Sequence, residues 1–428
     1  MERNKGITLI ALIITIIILL ILVGVSINLA IKGDLFGSAQ KAVSGTNDKT
    51  AQEQTRVDEL MGELGRVEEQ QRQDNLPGTR VTENTKYVSN GKTAWIPAGF
   101  TISKAEGETT IDGGLVIYLI QDKTEEEIKN LTWTGTELEN LKKTYDQFVW
   151  IPISHEQINN MFICQAKTTS NGSCNIVAEN GTAKCTTHNS TQMAGRLYAT
   201  STGESYNNPK KEVYTANTGL REPDVVDSYD GTSAYLYNLT SILGSEYDAK
   251  DKFKNILQTD YNEIVALIYN AKGYYVGRYE TSNLTTTKGT AINVVAGTNF
   301  GISNINWYCM YAQQKAYTTN KQLKSVKSSM ILGTCHDQML EFVNVAGKYD
   351  VTKAGNVGHT SSKFTTKPYL TGGVGYNENY SGYETEPYKD LSKNIYDLEG
   401  NVCEWTTEAL DTSYRVYRGR LLQQQLFC

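Results

Sequence analysis

Apolar positions fall into three regimes along the chain. From Ile7 to Ile31 they form one run, interrupted only by the uncharged polar residues Thr8, Thr15, Ser26 and Asn28. A helix needs about 20 such residues to cross the hydrocarbon core of a bilayer. A cleavable secretory signal has a shorter apolar core of about 7–15 residues followed by a small-residue cleavage site. The run therefore predicts a membrane-spanning helix. Arg3 and Lys5 against Glu2 in the short flank keep that end in the cytoplasm and send the rest of the chain outward. The expected location is the cell membrane, single-pass, with the C-terminal body extracellular.

The second regime, Lys32 to about Leu76, is polar. Val57, Leu60, Leu64 and Val67 recur at 3–4–3 spacing, one stripe of an amphipathic helix. Gly62 and Gly65 weaken that helix, and Asn75-Leu76-Pro77-Gly78 ends it. These residues predict a helical stalk able to self-associate. The third regime starts at about Tyr87, with short β-type runs, glycines and aromatics. "TAWIPAGFTIS", "GGLVIYLI", "QFVWIPI" and "YYVGRYE" predict strands, and Asp248 to Ala271 a helix. "NWYCMYAQQKAY" and "DQMLEFVNVAG" have helical periodicity, and "KTEEEIKN" reads as a solvated helix face. With no tandem βαβ pattern and no Gly-rich phosphate loop, the body is irregular α+β rather than a doubly wound nucleotide fold. The expected divisions are 1–31, 32–86 and 87–428.

Charge adds an exclusion. Lys and Arg number 41 against 47 Asp and Glu, with no basic cluster, so a nucleic-acid partner is not expected. The 27 tyrosines combine an apolar ring with a polar tip, which suits a binding surface, although an A/T-rich genome favours the same composition.

Two stretches resemble known families. Lys5-Gly6 followed by Ile7-Thr8-Leu9-Ile10 resembles the type IV prepilin signal. The resemblance implies cutting after Gly6 by a prepilin peptidase and methylation of Ile7. The position that is Glu in pilins is Ala11 here, which removes the carboxylate implied in fibre assembly. Processing, and retention as a plain membrane anchor through residues 7–31, both remain open. In the body, "WIPAGFTIS", "FVWIPI", "YYVGRYETS", "ILGTCHDQMLEFV" and "NIYDLEGNVCEWTTE…YRVYRG" occur in the order seen in formylglycine-generating enzyme-like (sulfatase-modifying factor) domains. This resemblance implies a variant of the C-type lectin fold, used by enzymes and by ligand-binding surface and phage proteins. Gly400-Asn401-Val402-Cys403-Glu404-Trp405-Thr406 is similar to the family's G-N-V-W-E-W-T, with Cys403 in place of the first Trp. It implies a calcium site using side-chain oxygens of Asp397 and Glu404 and carbonyls of Gly400 and Val402, in line with the oxygen ligands such an ion takes. The alternative is that Asn401 and Glu404 brace the turn while Trp405 fills the core. Trp405, Tyr414, Tyr417 and Arg418 are the candidate ligand-binding residues.

The family's oxidase chemistry uses a copper-binding cysteine pair just beyond its R-G-G segment. This sequence has only Cys428 there, so copper and oxidase activity are not expected. The tail Arg420 to Cys428 is out of character with the body. If Arg420 is AGG, the leucines CTA, the glutamines CAA and the end TTC-TGT, dropping one base gives Gly-Tyr-Tyr-Asn-Asn-Asn-Tyr-Ser-Val and completes the motif. A frameshifted or truncated end is the expectation. The restored Asn run is most simply an ordinary Asn-rich loop, and it also matches what adenine-directed diversification by a retroelement produces.

Cys164, Cys174 and Cys185 lie in a polar insertion at about 160–190. In an exterior protein a disulfide among them would pin that loop. Zinc with His188 is not expected, because Cys-x9-Cys-x10-Cys is not a zinc spacing. His336-Asp337 falls in a helix and reads as bracing; His155 and His359 have no evident partners. The reading is an outward-facing surface protein binding an unknown protein or glycan. The alternatives are a formylglycine-generating-type oxidase and a minor pilin.

Overall fold

A computed structural model describes residues 55–56, 58–63, 65, 73–166, 174–195, 223, 239–283, 289, 291–296, 305–343, 391–396, 404–409 and 415–418. The chain divides into a unit Met1–Arg72 and a unit Gln73–Cys428. In the first, the described positions between 55 and 65 are helical, as the apolar stripe predicts, and Leu60 and Met61 are exposed. Gly6, Ile7 and the whole run to Ile31 lie outside the described residues. Among the described residues no helix is long and apolar enough to cross a membrane.

The second unit starts at Gln73, ahead of the expected Tyr87. The reason is local: Gly78 N–H donates to the Ile102 carbonyl at 2.8 Å and Val81 N–H to Phe100 at 2.9 Å, so residues 77–81 already belong to the body. The unit is mixed α/β, as expected. A hairpin of β1 (Thr85–Ser89) and β2 (Lys92–Ile96) leads into β3 (Thr101–Ile102) and β4 (Val116–Leu119). Short helices α1 (Glu125–Lys129) and α2 (Gly135–Thr144) precede β5 (Asp146–Pro152) and α3 (His155–Met161). The insertion contributes β6 (Phe162–Cys164), β7 (Ile176–Glu179), β8 (Thr182–Cys185) and β9 (Met193–Gly195). Then come α4 (Lys250–Ala271), β10 (Gly273–Gly277), α5 (Trp307–Asn320) and α6 (Gly333–Val343). Short strands β11 (Leu391–Ser392), β12 (Ile395–Tyr396), β13 (Glu404–Ala409) and β14 (Arg415–Arg418) follow.

The centre is an antiparallel sheet in the order β10-β5-β4-β3. Period-2 alternation sends its side chains to two cores. Val116, Tyr118, Val149 and Ile151 join Ile128 and Leu141 of the small helices and Met339, Phe342 and Val343 of α6. Ile117, Leu119 and Trp150 join Ile96, Ile102 and Tyr317 on the other face. Because both faces are covered, β4 is buried at every position, which is why it reads as a continuous apolar run. The β1–β2 and β7–β8 hairpins both turn through Asn-Gly, Asn90-Gly91 and Asn180-Gly181, all four residues at positive φ. That pair suits the tight primed turn matching strand twist.

α4 carries Phe253, Leu257, Tyr261, Val265 and Ile268 on its buried side. Its first half packs on α5 through Trp307, Tyr308 and Tyr311. Its second half packs on the insertion through Phe162, Cys164, Met193 and Ala194. Lys272 in the left-handed region ends the helix and turns the chain into β10. α1 starts with a capping box between Thr124 and Glu127; Ile128 is buried, Glu125 is half-buried against Arg80 and the other residues are exposed, which fits a solvated helix face.

Candidate functional site

The C-terminal motif docks into the body through few, specific contacts. Glu404 and Trp405 on β13 are register partners of Arg418 and Tyr417 on β14, with a register shift between Trp405 and Ala409. Trp405 is half-buried; its indole N–H donates to the Ile305 carbonyl at 3.0 Å, and its ring packs against the α4–α5 core. Trp307 Nε1 donates to the Thr406 carbonyl at 2.7 Å, and the Arg415 guanidinium sits 3.7 Å over the Trp307 ring. Trp405 thus fills the core edge, as the bracing alternative expects, and also lines a cavity. Asp397, Gly400, Val402 and Tyr414 lie outside the described residues, so of the proposed calcium ligands only Glu404 is located. It is half-buried and borders the same cavity.

That cavity, about 660 Å³, runs along the β5–β10 edge of the sheet. Trp95, Phe148, Tyr275, Tyr317, Tyr396 and Trp405 contribute rings to its wall. Trp95 is 41% exposed, whereas Tyr317 is buried and donates to Asp146 Oδ2 at 2.8 Å. Apolar walls with a few oriented polar groups are the usual make-up of a small-molecule or side-chain pocket.

Beside it lies a buried polar network absent from the sequence expectations. Arg278, next after β10, is 2% exposed. Its Nη2 meets Glu108 Oε1 at 2.6 Å; its Nη1 donates to Tyr118 Oη at 3.2 Å and to Gln147 Oε1 at 3.1 Å. Ser103 Oγ donates to Glu108 Oε2 at 2.7 Å. The Arg278 carbonyl accepts from Tyr396 N–H at 2.9 Å, and Asn394 Nδ2 donates to the carbonyls of Gly107, Gly113 and Gly114. The network therefore seats the segment bearing β12. Burial is the largest influence on the Tyr118 hydroxyl and pushes its pKa well up, with the Arg278 charge opposing.

The insertion departs most from expectation. Cys164, Cys174 and Cys185 are buried free thiols, and they gather around His188. His188 Nδ1 lies 3.3 Å from Cys164 Sγ, 3.6 Å from Cys174 Sγ and 3.3 Å from Cys185 Sγ. Cys164 and Cys174 Sγ are 3.6 Å apart, and Cys164 N–H donates to Cys174 Sγ at 3.4 Å. Instead of a bridge pinning the loop, the structure gives four converging donor atoms, all within 4.8 Å of one another. Two ladders make this possible. β6 pairs with β9, β7 with β8, and a tight turn from Cys185 to Ser190, with Asn189 at positive φ, swings His188 back over the hairpin. Burial pushes the Cys164 thiol up to about 12 and raises Cys174 as well. Burial acts the same way on Cys185, but hydrogen bonds from His188 and the other two thiols outweigh it and bring that thiol down to about 7. Such a group can hold a soft or borderline cation. In the sequence His188 beside Cys185 is the zinc signal, and the long cysteine spacing that speaks against it is closed by the pairing of β6 with β9 and β7 with β8.

The histidine expectations divide. His155 does have a partner: it stacks on Tyr269 at 4.2 Å, with Nε2 3.2 Å from the Tyr269 carbonyl. His336 and Asp337 are buried within α6, in keeping with a bracing helix. His359 lies outside the described residues.

Comparison with family models, curated proteins and solved structures finds no match.

Proposed function

We propose that this chain is a membrane-anchored, outward-facing surface protein with a lectin-like, non-catalytic body that binds a ligand in the aromatic cavity. The cavity of about 660 Å³ with Trp95, Tyr275 and Trp405 in its wall carries this reading. Large rings give contact area at little entropic cost and stack on the apolar faces of sugars and peptide side chains. The apolar run from Ile7 to Ile31 supports the anchor, and its basic flank supports the orientation. The resemblance to formylglycine-generating enzyme-like domains supports a ligand-binding body, with calcium at Glu404 and the neighbouring Asp397, Gly400 and Val402 as its cation.

The test uses the full chain in detergent, screened on glycan and peptide arrays, with tryptophan emission following each hit. Trp95→Ala is the diagnostic variant, because Trp95 is 41% exposed and its loss leaves the core intact. Binding weakened by about tenfold or more is the expected result for a ring at the centre of a contact. Hits indifferent to Trp95→Ala would refute the cavity as the site. Copper-dependent oxidation of a cysteine peptide would replace binding with catalysis, and protease resistance of the body on intact cells would overturn the outward orientation.

A further inference from the structure

We propose that Cys164, Cys174, Cys185 and His188 bind one zinc ion as a closed structural centre that fastens the insertion to α4. Zinc holds thiolates at about 2.3 Å and imidazole nitrogen at about 2.0–2.1 Å in a tetrahedron. Such a tetrahedron has S···S edges of about 3.8 Å and S···N edges of about 3.6 Å. The observed Cys164–Cys174 separation is 3.6 Å, and the three sulfur-to-Nδ1 distances are 3.3, 3.6 and 3.3 Å. These four separations match edges of a zinc-sized tetrahedron, and all four donor atoms lie within 4.8 Å of one another.

Donor chemistry narrows the ion. Three thiolates and an imidazole select a borderline or soft metal over calcium or magnesium, which take oxygen ligands. Four protein ligands leave no open coordination position, which marks a structural rather than a catalytic centre. On binding, the three thiols release their protons to solvent while His188 coordinates through its neutral Nδ1 lone pair. The Cys164 N–H donating to Cys174 Sγ is the kind of outer-shell contact that orients a ligand. A disulfide would consume two of these thiols and leave the third buried beside His188 with no role. In an exterior compartment, coordination also keeps the thiols from pairing.

The centre has a mechanical consequence. β9 is tied to α4 where Met193 N–H donates to Asn262 Oδ1 and Gln258 Nε2 donates to the Met193 carbonyl, each at 2.9 Å. Ile264 and Ile268 of the same helix line the cavity. Metal loading thus sets the position of one cavity wall.

The test is metal analysis of the full chain, expressed with zinc, purified in detergent under reducing conditions and desalted. One zinc per chain is expected, and Co²⁺ exchanged into the site should give the intense visible bands of tetrahedral thiolate coordination. Cys185→Ser should lose the metal, and His188→Cys, which keeps four soft ligands, should retain it. Because Cys185→Ser could fail to fold, p-hydroxymercuribenzoate titration of the wild type provides a second measurement. Zinc release in step with modification of these three thiols supports the proposal. A wild-type chain without stoichiometric zinc, a Cys164–Cys174 disulfide in peptide mapping, an octahedral Co²⁺ spectrum, or zinc release unrelated to these thiols would overturn it.

Discussion

Two buried polar clusters in this molecule are built on opposite principles. Around Arg278 opposite charges and dipoles face one another: both Nη atoms are matched, by the Glu108 carboxylate, Tyr118 and Gln147, Ser103 donates to Glu108, and the Arg278 Nε alone of the guanidinium nitrogens lacks a partner. Around His188 three sulfurs and a ring nitrogen converge, all of them atoms able to ligate a cation and with no positively charged side chain among them. The first cluster balances its charge within the protein. The second pairs its donor atoms only with one another, and an ion at their centre would give all four a stronger partner. The surroundings match this division. The Arg278 cluster sits in a sheet with two covered faces, whereas the insertion is two short ladders with one apolar side against α4. Small elements of that kind commonly need a metal or a cross-link to hold them.

The largest expected effect separates the clusters directly. Chelating metal from the full chain under reducing conditions should melt β6–β9, because structural zinc in small units contributes on the order of 10 kcal/mol of apparent folding free energy. Hydrogen exchange should show amides of residues 162–195 losing protection while those of β4, β5 and β10 keep theirs. Uniform loss across both regions, or no loss in either, would erase the contrast.

Breaking the other cluster needs a change of residue. Glu108→Ala strands the Arg278 charge in a site 2% exposed and should cost about 3–5 kcal/mol by denaturant unfolding, with metal content unchanged. Replacing the pair together, Glu108→Leu with Arg278→Met, should recover most of that loss, since an apolar pair of similar volume carries no desolvation cost. Failure of the double change to recover would mean that the network is held by more than its own complementarity. A smaller effect is expected where this cluster receives the C-terminal segment. Gly114 has φ +91°, and a Cβ there would lie 1.9 Å from the Lys393 carbonyl oxygen. Gly114→Ala should cost about 1–3 kcal/mol through overpacking and backbone strain. It should loosen residues 391–396 in hydrogen exchange without changing the metal content.

The same contrast explains what the sequence discloses. Elements governed by local periodicity are legible: the strands of the central sheet, α4 ending at Ala271, and α5 over "NWYCMYAQQKAY" all lie where the apolar pattern puts them. The β1–β2 and β7–β8 turns are announced by Asn-Gly. The Arg278–Glu108 pair is not legible, because its members are 170 positions apart and each reads as an ordinary surface charge until folding buries both. The metal cluster is half legible. Cys185-x2-His188 is a local signal, but Cys164 and Cys174 join it only through the pairing of β6 with β9 and β7 with β8. Of the C-terminal motif, the sequence singles out Trp405. Its anchoring on the Ile305 carbonyl, across 100 positions, is a tertiary fact.

The smallest prediction sharpens the comparison by pH. Burial raises the Tyr118 hydroxyl well above the ordinary tyrosine value of about 10, and Tyr311 and Tyr317 are raised for the same reason. Above pH 10 the unfolded chain gives up these protons while the folded chain keeps them. The unfolded state then binds fewer protons, so stability falls as pH rises. The contribution is fully present below pH 10 and is lost progressively toward each folded-state value. One group in that window contributes about 1.4 kcal/mol per pH unit. Tyr118→Phe should therefore flatten the alkaline slope by about that amount between pH 10 and 11, measured by denaturant unfolding at fixed ionic strength. It should leave the cobalt spectrum of the insertion unchanged, because Tyr118 belongs to the Arg278 cluster alone. An unchanged slope would mean that Tyr118 titrates normally, and that the Arg278 network is open to water rather than sealed within the sheet.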